Sequence, residues 1–293
     1  MGGSTMQSKT VLITGATDGI GKQAAKELAK MGAKIVLVGR NEEKCIRSVE
    51  EVSTFGGNSS VNYLLADLSS MGEVKKLAEE FRSKYDRLDV LINNAGAAFL
   101  TRQVTVDGFE KTFATNHLAY FLLTASLLEM LKSSSPSRII NVSSNSHYNG
   151  KIRFDDPHLK RFYFVMLAYS QSKLANVMHT YALARRLEGS GVTANCLHPG
   201  LVRTGIFRKV KGVKGLIEKI LLRRAITVEE GAETLVYLAS SEDVTFDSGN
   251  FYYKKKVRTS SARSYDIGTQ ERLWEMSEDM LKPWLETSTS GES

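Results

Sequence analysis

The stretch Val11-Leu12-Ile13-Thr14-Gly15-Ala16-Thr17-Asp18-Gly19-Ile20-Gly21 decides the fold. Its first four residues form a short apolar run that reads as a buried strand, and residues 22–30 read as the body of a helix. The glycines between them permit a sharp strand-to-helix turn. Working outward, similar apolar runs recur at 35–38, 61–65, 90–92, 139–142 and 192–197, each read as a short, largely buried strand, and 250–253 supplies a seventh. Helical patterns fall between them at 20–31, 42–54, 71–85, 113–132 and 170–188. Alternation repeated this often predicts an α/β fold, a doubly wound parallel sheet with helices on both faces.

Composition sets the outer bounds. The chain has 293 residues, 42% hydrophobic and 24% charged, with a net charge of +7. Those fractions describe a folded protein and exclude a wholly disordered or fibrous one. Two cysteines, Cys45 and Cys196, cannot staple a chain of this length and point to a reducing compartment. No apolar run reaches the roughly 18 to 20 residues of a membrane-spanning helix, and no signal peptide is visible, so an intracellular protein, cytoplasmic or peripherally membrane-associated, is expected. No linker divides the sequence. A single domain over residues 8–285 is expected, with 1–7 an N-terminal extension and 286–293 a disordered polar tail.

The turn itself suggests a ligand. Gly15, Gly19 and Gly21 would let the backbone approach a pyrophosphate, with Asp18 and Ile20 in the same loop and the N–H groups of the helix start directed at the anion. A glycine cluster alone is weak; its place between a first strand and a first helix strengthens it. The second strand ends at Gly39-Arg40, where a dinucleotide fold usually carries a carboxylate for the ribose hydroxyls. A guanidinium there can pair with a 2′-phosphate, favouring NADP(H) over NAD(H). The other reading of Arg40 is a solvated residue opening the next helix, and Glu42 and Glu43 beside it could repel a phosphate. Asp67 and Leu68 end the third strand, near where adenine would lie.

Residues 168–178 carry the chemistry. Tyr169 and Lys173 are four apart and share one helix face. A phenol titrates near pH 10, and a neighbouring ammonium lowers that value, making tyrosine a usable acid or base at neutrality. Taken alone, the pair is equally a solvated helix face. Its company is specific: Thr14-Gly15-x-x-x-Gly19-x-Gly21, Asn93-Asn94-Ala95-Gly96, Asn116, Ser143-Ser144, Tyr169-x-x-x-Lys173 and Pro199-Gly200.

In that order and spacing the chain resembles the short-chain dehydrogenase/reductase family, whose sheet is of Rossmann type. Within it, Asn141-Val142-Ser143-Ser144-x-x-His147, residues 150–152, residues 169–177, Gly191-Val192-Thr193, His198-Pro199-Gly200 and Glu271-Arg272-Leu273-Trp274 look like the retinol dehydrogenase branch. The resemblance implies roles. Tyr169 exchanges the proton at the substrate oxygen, Lys173 lowers its pKa and holds the nicotinamide ribose, Ser144 orients the carbonyl, and Asn116 anchors a water feeding protons to Lys173. Asn94, Ala95 and Gly96 pass close to the cofactor, and Pro199, Gly200, Val202 and Thr204 line its nicotinamide half. The implied protein is an NADP(H)-dependent carbonyl reductase or alcohol dehydrogenase for a lipophilic substrate, retinal-like or another aldehyde or ketone. A steroid or other ring-ketone reductase, and a non-catalytic NADP(H)-sensing protein, are the alternatives. The five histidines show no metal-ligand spacing, and a metal-dependent mechanism is not expected.

Two segments interrupt the rhythm. Residues 146–167 bring Phe154, Phe162, Tyr163, Phe164, Val165 and Met166 towards the expected site, either as lining for a bulky apolar substrate or as core. Residues 203–224 hold eight basic residues and one acidic, so this segment accounts for the whole charge excess and the rest of the chain balances. Ile206, Val210, Val213, Ile217 and Ile220 would form one apolar helix face within it. The expectation is a helix that covers the substrate and makes peripheral contact with an anionic membrane; the alternative is a helix packed on its own domain. No basic stripe interleaved with aromatics points to nucleic acid.

Overall fold

The computed structural model describes residues 6–201 and 226–286. Seven strands run parallel: β1 (Thr10–Thr14), β2 (Lys34–Gly39), β3 (Val61–Leu65), β4 (Val90–Asn93), β5 (Ser137–Val142), β6 (Val192–Leu197) and β7 (Phe251–Tyr253). An eighth, β8 (Lys256–Val257), pairs antiparallel with β7. Their order is β3-β2-β1-β4-β5-β6-β7-β8. The expected doubly wound sheet is therefore present with one more strand than the seven read from sequence. β8 is only two residues long, Lys-Val, too short to leave a pattern. β3 also differs from expectation: it is an edge strand, with Asn62 and Leu65 exposed, rather than a largely buried one.

Alternation along each strand builds the two cores. Leu12, Val36, Leu91 and Ile139 face one layer, formed with α3 (Met71–Lys84), α5 (Ala119–Ser133), α6 (Val165–Arg186) and α8 (Ile267–Leu285). Val11, Ile13, Ile35, Leu37 and Ile92 face the other, against α1 (Gly19–Lys30), α2 (Glu42–Gly56) and α7 (Val228–Ser240). Burial on both faces explains why these strands are continuous apolar runs. Local chemistry fixes the helix starts: Asp18, Asn41 and Ser70 cap α1, α2 and α3, and Thr227 with Glu230 forms a capping box on α7. Met6 is buried, and its backbone N–H donates to the Met31 carbonyl at 3.0 Å.

Chain order reverses across β1 and β4, so a crevice opens at their carboxyl ends. In open α/β sheets this is where ligands bind. Among the described residues no helix is long and apolar enough to cross a membrane.

Candidate active site

The crevice is built around Thr14, the last residue of β1. Its hydroxyl donates to the Ile92 carbonyl at 3.3 Å and accepts the N–H groups of Asn94 (2.9 Å) and Ala95 (3.1 Å). The Asn94 amide in turn donates to the carbonyls of Thr14 (2.8 Å) and Gly15 (3.2 Å). Asn94 thus braces the glycine turn with its side chain, a role the sequence did not indicate. Close approach explains the glycines. A Cβ on Gly15 would lie 2.8 Å from Ala95 Cα, and one on Gly21 would lie 2.4 Å from Asn94 Nδ2 and 2.7 Å from the Gly15 oxygen. Gly15 and Gly19 also hold positive φ, 65° and 56°. Asp18 caps α1 through the Gly19 N–H. Ile20 and Leu68 turn their side chains into the two cores, so only their backbones can face a ligand.

The turn, the N-terminus of α1 and the two residues ending β2 and β3 fit a dinucleotide. Arg40 is exposed at the end of β2, and its charge reaches Asp67. Burial alone would raise the Asp67 carboxyl, but hydrogen bonds from Ser69 and the charges of Arg40 and Lys111 hold it below its ordinary value. The two neighbouring glutamates are otherwise engaged: Glu42 accepts the Tyr63 hydroxyl at 3.1 Å, and Glu43 pairs with Arg47 at 4.0 Å.

On the far side of the crevice, α6 brings Tyr169 and Lys173 beneath the end of β5. Helix α6 starts at Val165, five residues before the expected 170, so Tyr169 and Lys173 both lie well inside it, one turn apart. Tyr169 and Lys173 are buried, and the Ser144 hydroxyl lies close enough to the Tyr169 phenol to lower its pKa. Lys173 Nζ lies 5.8 Å from the centroid of the Tyr169 ring and 5.7 Å from that of Tyr120, and donates to the Val142 carbonyl at 2.9 Å. Gly96 is close enough that a Cβ there would come 3.4 Å from this nitrogen.

The protonation of the pair differs from the expectation. Burial pushes the Tyr169 phenol up to about 12, the Ser144 hydroxyl offsetting part of the rise, and burial brings Lys173 down to about 7. The ammonium is directed at a carbonyl rather than at the phenol oxygen, so desolvation of both groups outweighs their mutual attraction. Ser143 turns away and donates to the Lys173 carbonyl at 2.8 Å.

Asn116 is held on both sides by the protein. It lies in a π-helical turn (Ala114–Leu118) between α4 (Lys111–Phe113) and α5. Its Oδ1 accepts the Ala97 N–H at 2.8 Å, and its amide donates to the Ala97 carbonyl (2.9 Å) and to Ser172 Oγ (3.0 Å). Both amide hydrogens are used, and the side chain ties the segment following β4 to α6. The π turn remains suggestive, because such turns recur at functional sites.

Sequence reasoning missed Tyr120, whose ring underlies Lys173 and whose hydroxyl donates to the Ala95 carbonyl at 2.7 Å. Its position, one turn beyond Asn116, was the available signal. Pro199 and Gly200 end the described part of the β6 side; Gly200 takes φ +97°, and a Cβ there would meet Ile226 at 2.4 Å. Val202, Thr204 and the basic segment 203–224 lie outside the described residues. Of the aromatic insertion, Phe154 packs beneath Arg272, and Tyr163 donates to the Phe99 carbonyl at 2.6 Å. Phe162, Phe164 and Met166 are exposed around the start of α6.

Residues 9–213 match the family model described as short chain dehydrogenase. This chain is a member of the short-chain dehydrogenase/reductase family. It is similar to retinol dehydrogenase 14 of Homo sapiens, 41% identical over 94% of this chain and 87% of that protein. Human retinol dehydrogenase 11 is 41% identical over 95% of this chain and 88% of that one. Among solved structures, an uncharacterised Mycobacterium paratuberculosis protein superposes with a TM-score of 0.79 at 31% identity, covering 96% of both chains. A Pseudomonas aeruginosa protein, RhlG in an NADP active-site complex, superposes at 0.70 with 26% identity, over 86% of this chain and 96% of that one. As a family member the protein is a nicotinamide-dependent oxidoreductase.

Proposed function

We propose that the protein is an NADP(H)-dependent reductase and dehydrogenase of lipophilic carbonyl compounds, retinal-like aldehydes foremost. The observation that carries this reading is the convergence of Ser144, Tyr169 and Lys173 on the crevice floored by the glycine turn. Gly15, Gly19, Gly21, Ala95 and Gly96 would hold the dinucleotide by close backbone approach. Arg40 would pair with a 2′-phosphate, which supports NADP(H), as does the NADP complex of the Pseudomonas aeruginosa relative. The bound dinucleotide supplies the hydride.

The chain's own groups handle the proton. Tyr169 stays protonated at neutrality and donates from its hydroxyl to the substrate oxygen, while Ser144 orients that oxygen by a second hydrogen bond. Lys173, with its pKa near neutrality, can then return a proton to the phenolate. Exposed Phe162, Phe164 and Met166 near the start of α6 favour an apolar substrate, as do the names of the human relatives. The proposal also gives the basic segment 203–224, which lies outside the described residues, a peripheral contact with an anionic membrane.

The test is reduction of retinal by NADPH. Tyr169→Phe is expected to abolish turnover while leaving NADPH binding intact, and retained turnover would overturn the reading. Arg40→Asp is expected to move preference towards NADH; an unchanged ratio of kcat/KM would remove Arg40 as the phosphate reader. Co-sedimentation with vesicles containing phosphatidylserine, but not with neutral ones, checks the membrane contact.

A further inference from the structure

The short 3₁₀ turn after β5 (Asn145–Asn149) contains an imidazole whose hydrogen bonds fix its tautomer. His147 is fully buried, and its Nε2 lies 3.1 Å from the backbone nitrogen of Ser261, which can only donate. A neutral imidazole that accepts at Nε2 carries its proton on Nδ1. Nδ1 therefore donates to the Ser144 carbonyl at 2.7 Å, an oxygen that also accepts the His147 backbone N–H at 3.1 Å. Burial lowers the His147 pKa and keeps the ring in this neutral form.

Two more bonds clasp the same turn to the chain beyond β8. Tyr148 donates from its hydroxyl to the Thr259 carbonyl at 2.6 Å, and Arg263 donates to the Gly150 carbonyl at 2.9 Å. Ser144 thus follows β5 in extended backbone, φ −161° and ψ 157°, with its carbonyl held from the far side of the turn. Its hydroxyl has a competing partner: Ser144 Oγ accepts the Ser146 N–H at 3.2 Å and lies 3.3 Å from Ser146 Oγ. That local turn already engages the hydroxyl, so its direction towards Tyr169 depends on how the Ser144–Asn145 peptide is held, by His147 at the carbonyl and by His198 Nδ1, which accepts the Asn145 N–H at 3.2 Å.

We propose that His147 is a positioning residue for catalysis: through its Nδ1–H it locks the Ser144 peptide to the segment 259–263, and so keeps the Ser144 hydroxyl against Tyr169. The inference rests on the reading of Ser144 and Tyr169 as the groups at the substrate oxygen. It assigns a catalytic purpose to the C-terminal segment that holds this ring.

Amide substitutions separate the two ends of the imidazole. Asn places an N–H close to the Nδ1 position and loses the acceptor; Gln places an acceptor close to Nε2 and loses the donor to Ser144; Leu loses both. With retinal and NADPH, His147→Gln and His147→Leu are expected to lower kcat roughly 10- to 100-fold, the scale of a small misplacement of a reacting group. His147→Asn is expected to recover most of that loss, and KM and the NADPH Kd should stay close to wild type in all three. In a Ser144→Ala background, His147→Leu should cost nothing further, because the group it positions is gone. Equal losses in the Asn and Leu variants, or a full additional loss in the Ser144→Ala background, would overturn the proposal while leaving the role of Ser144 standing. A Ser144→Ala enzyme with undiminished kcat would overturn both. Binding of NADPH measured by its fluorescence reports a folded site in every variant.

Discussion

At the scale of single residues, the site is held in a costly state for the sake of its chemistry. Lys173 is the clearest case. Burial takes its pKa from the ordinary 10.5 of lysine to about 7. Between those two values the unfolded chain binds a proton that the folded chain does not, so stability rises with pH across that window and the buried amine weakens the fold at neutrality. Lys173→Met should therefore raise the melting temperature at pH 7 and reduce the gain between pH 7 and 9, while abolishing carbonyl reduction. Scanning calorimetry at both pH values checks this, and a variant melting below wild type at pH 7 would contradict it. Gly21 presents the opposite case, a residue chosen for the space it leaves. The Cβ of Gly21→Ala would press on the Asn94 amide and on a backbone oxygen of the turn. The turn must shift to admit it, and NADPH binding should weaken about tenfold, or about 1.4 kcal/mol, with the far-ultraviolet dichroism unchanged.

At the scale of elements, α8 shows how the C-terminal part of the chain is attached. It packs Leu273, Trp274 and Leu281 across α5 and α6, and at its centre Ser277 Oγ meets His117 Nε2 at 2.9 Å. His117 and His179 are buried side by side, with ring centroids 5.9 Å apart, and His179 also packs on Phe121 and Trp274. Burial lowers His117 to about 3, and burial, with the charges of His117 and Arg186, holds His179 far below the ordinary imidazole range. Both folded values lie below the unfolded value of about 6.5, so the stability they permit is complete above that pH and is lost as pH falls towards 3. Both tryptophans of the protein, Trp274 and Trp284, belong to α8. Acidification from pH 7 to 5 should therefore lower the melting temperature and red-shift tryptophan emission, and His179→Phe should blunt the fall in melting temperature. None of this was visible in the sequence, because the His117–Ser277 contact joins residues 160 positions apart. What was visible had a local cause. Parallel strands buried on both faces leave unbroken apolar runs, and the glycine turn and the Tyr169–Lys173 spacing are properties of consecutive residues. The first turn of α6 escaped notice because Phe164 offers no side-chain cap. His147 and Tyr120 escaped as site residues because their partners, Ser261 and Ala95, come from distant loops.

At the scale of the whole molecule, the sheet divides its labour between its ends. Every group assigned to chemistry sits at the carboxyl ends of β1, β4 and β5, while a buried acid organises the amino ends. Asp89, only 1% exposed, precedes β4, accepts the Thr10 N–H at 2.8 Å and pairs with Lys9 at 2.9 Å and with Arg87. Its own carbonyl accepts the Arg138 N–H at 2.8 Å, so a single residue joins β1, β4 and β5. Burial would raise its pKa, but the bonds from Arg87, Thr10 and Lys9 bring it below the ordinary value. Asp89→Ala removes an acceptor from a buried backbone N–H but strands no buried charge, since Lys9 and Arg87 are both partly solvated. The expected loss is therefore about 1–3 kcal/mol, the cost of an unsatisfied buried group, rather than the larger cost of an isolated buried ion. A strand length separates Asp89 from the crevice, and β4 between them is buried on both faces. Urea unfolding should show the lower midpoint, and kcat for retinal reduction at 25 °C should match wild type. A fall in kcat to the level of the site variants would mean that strain at one end of the sheet reaches the other, and that the glycine turn is positioned by the whole of β1 rather than by Thr14 and Asn94.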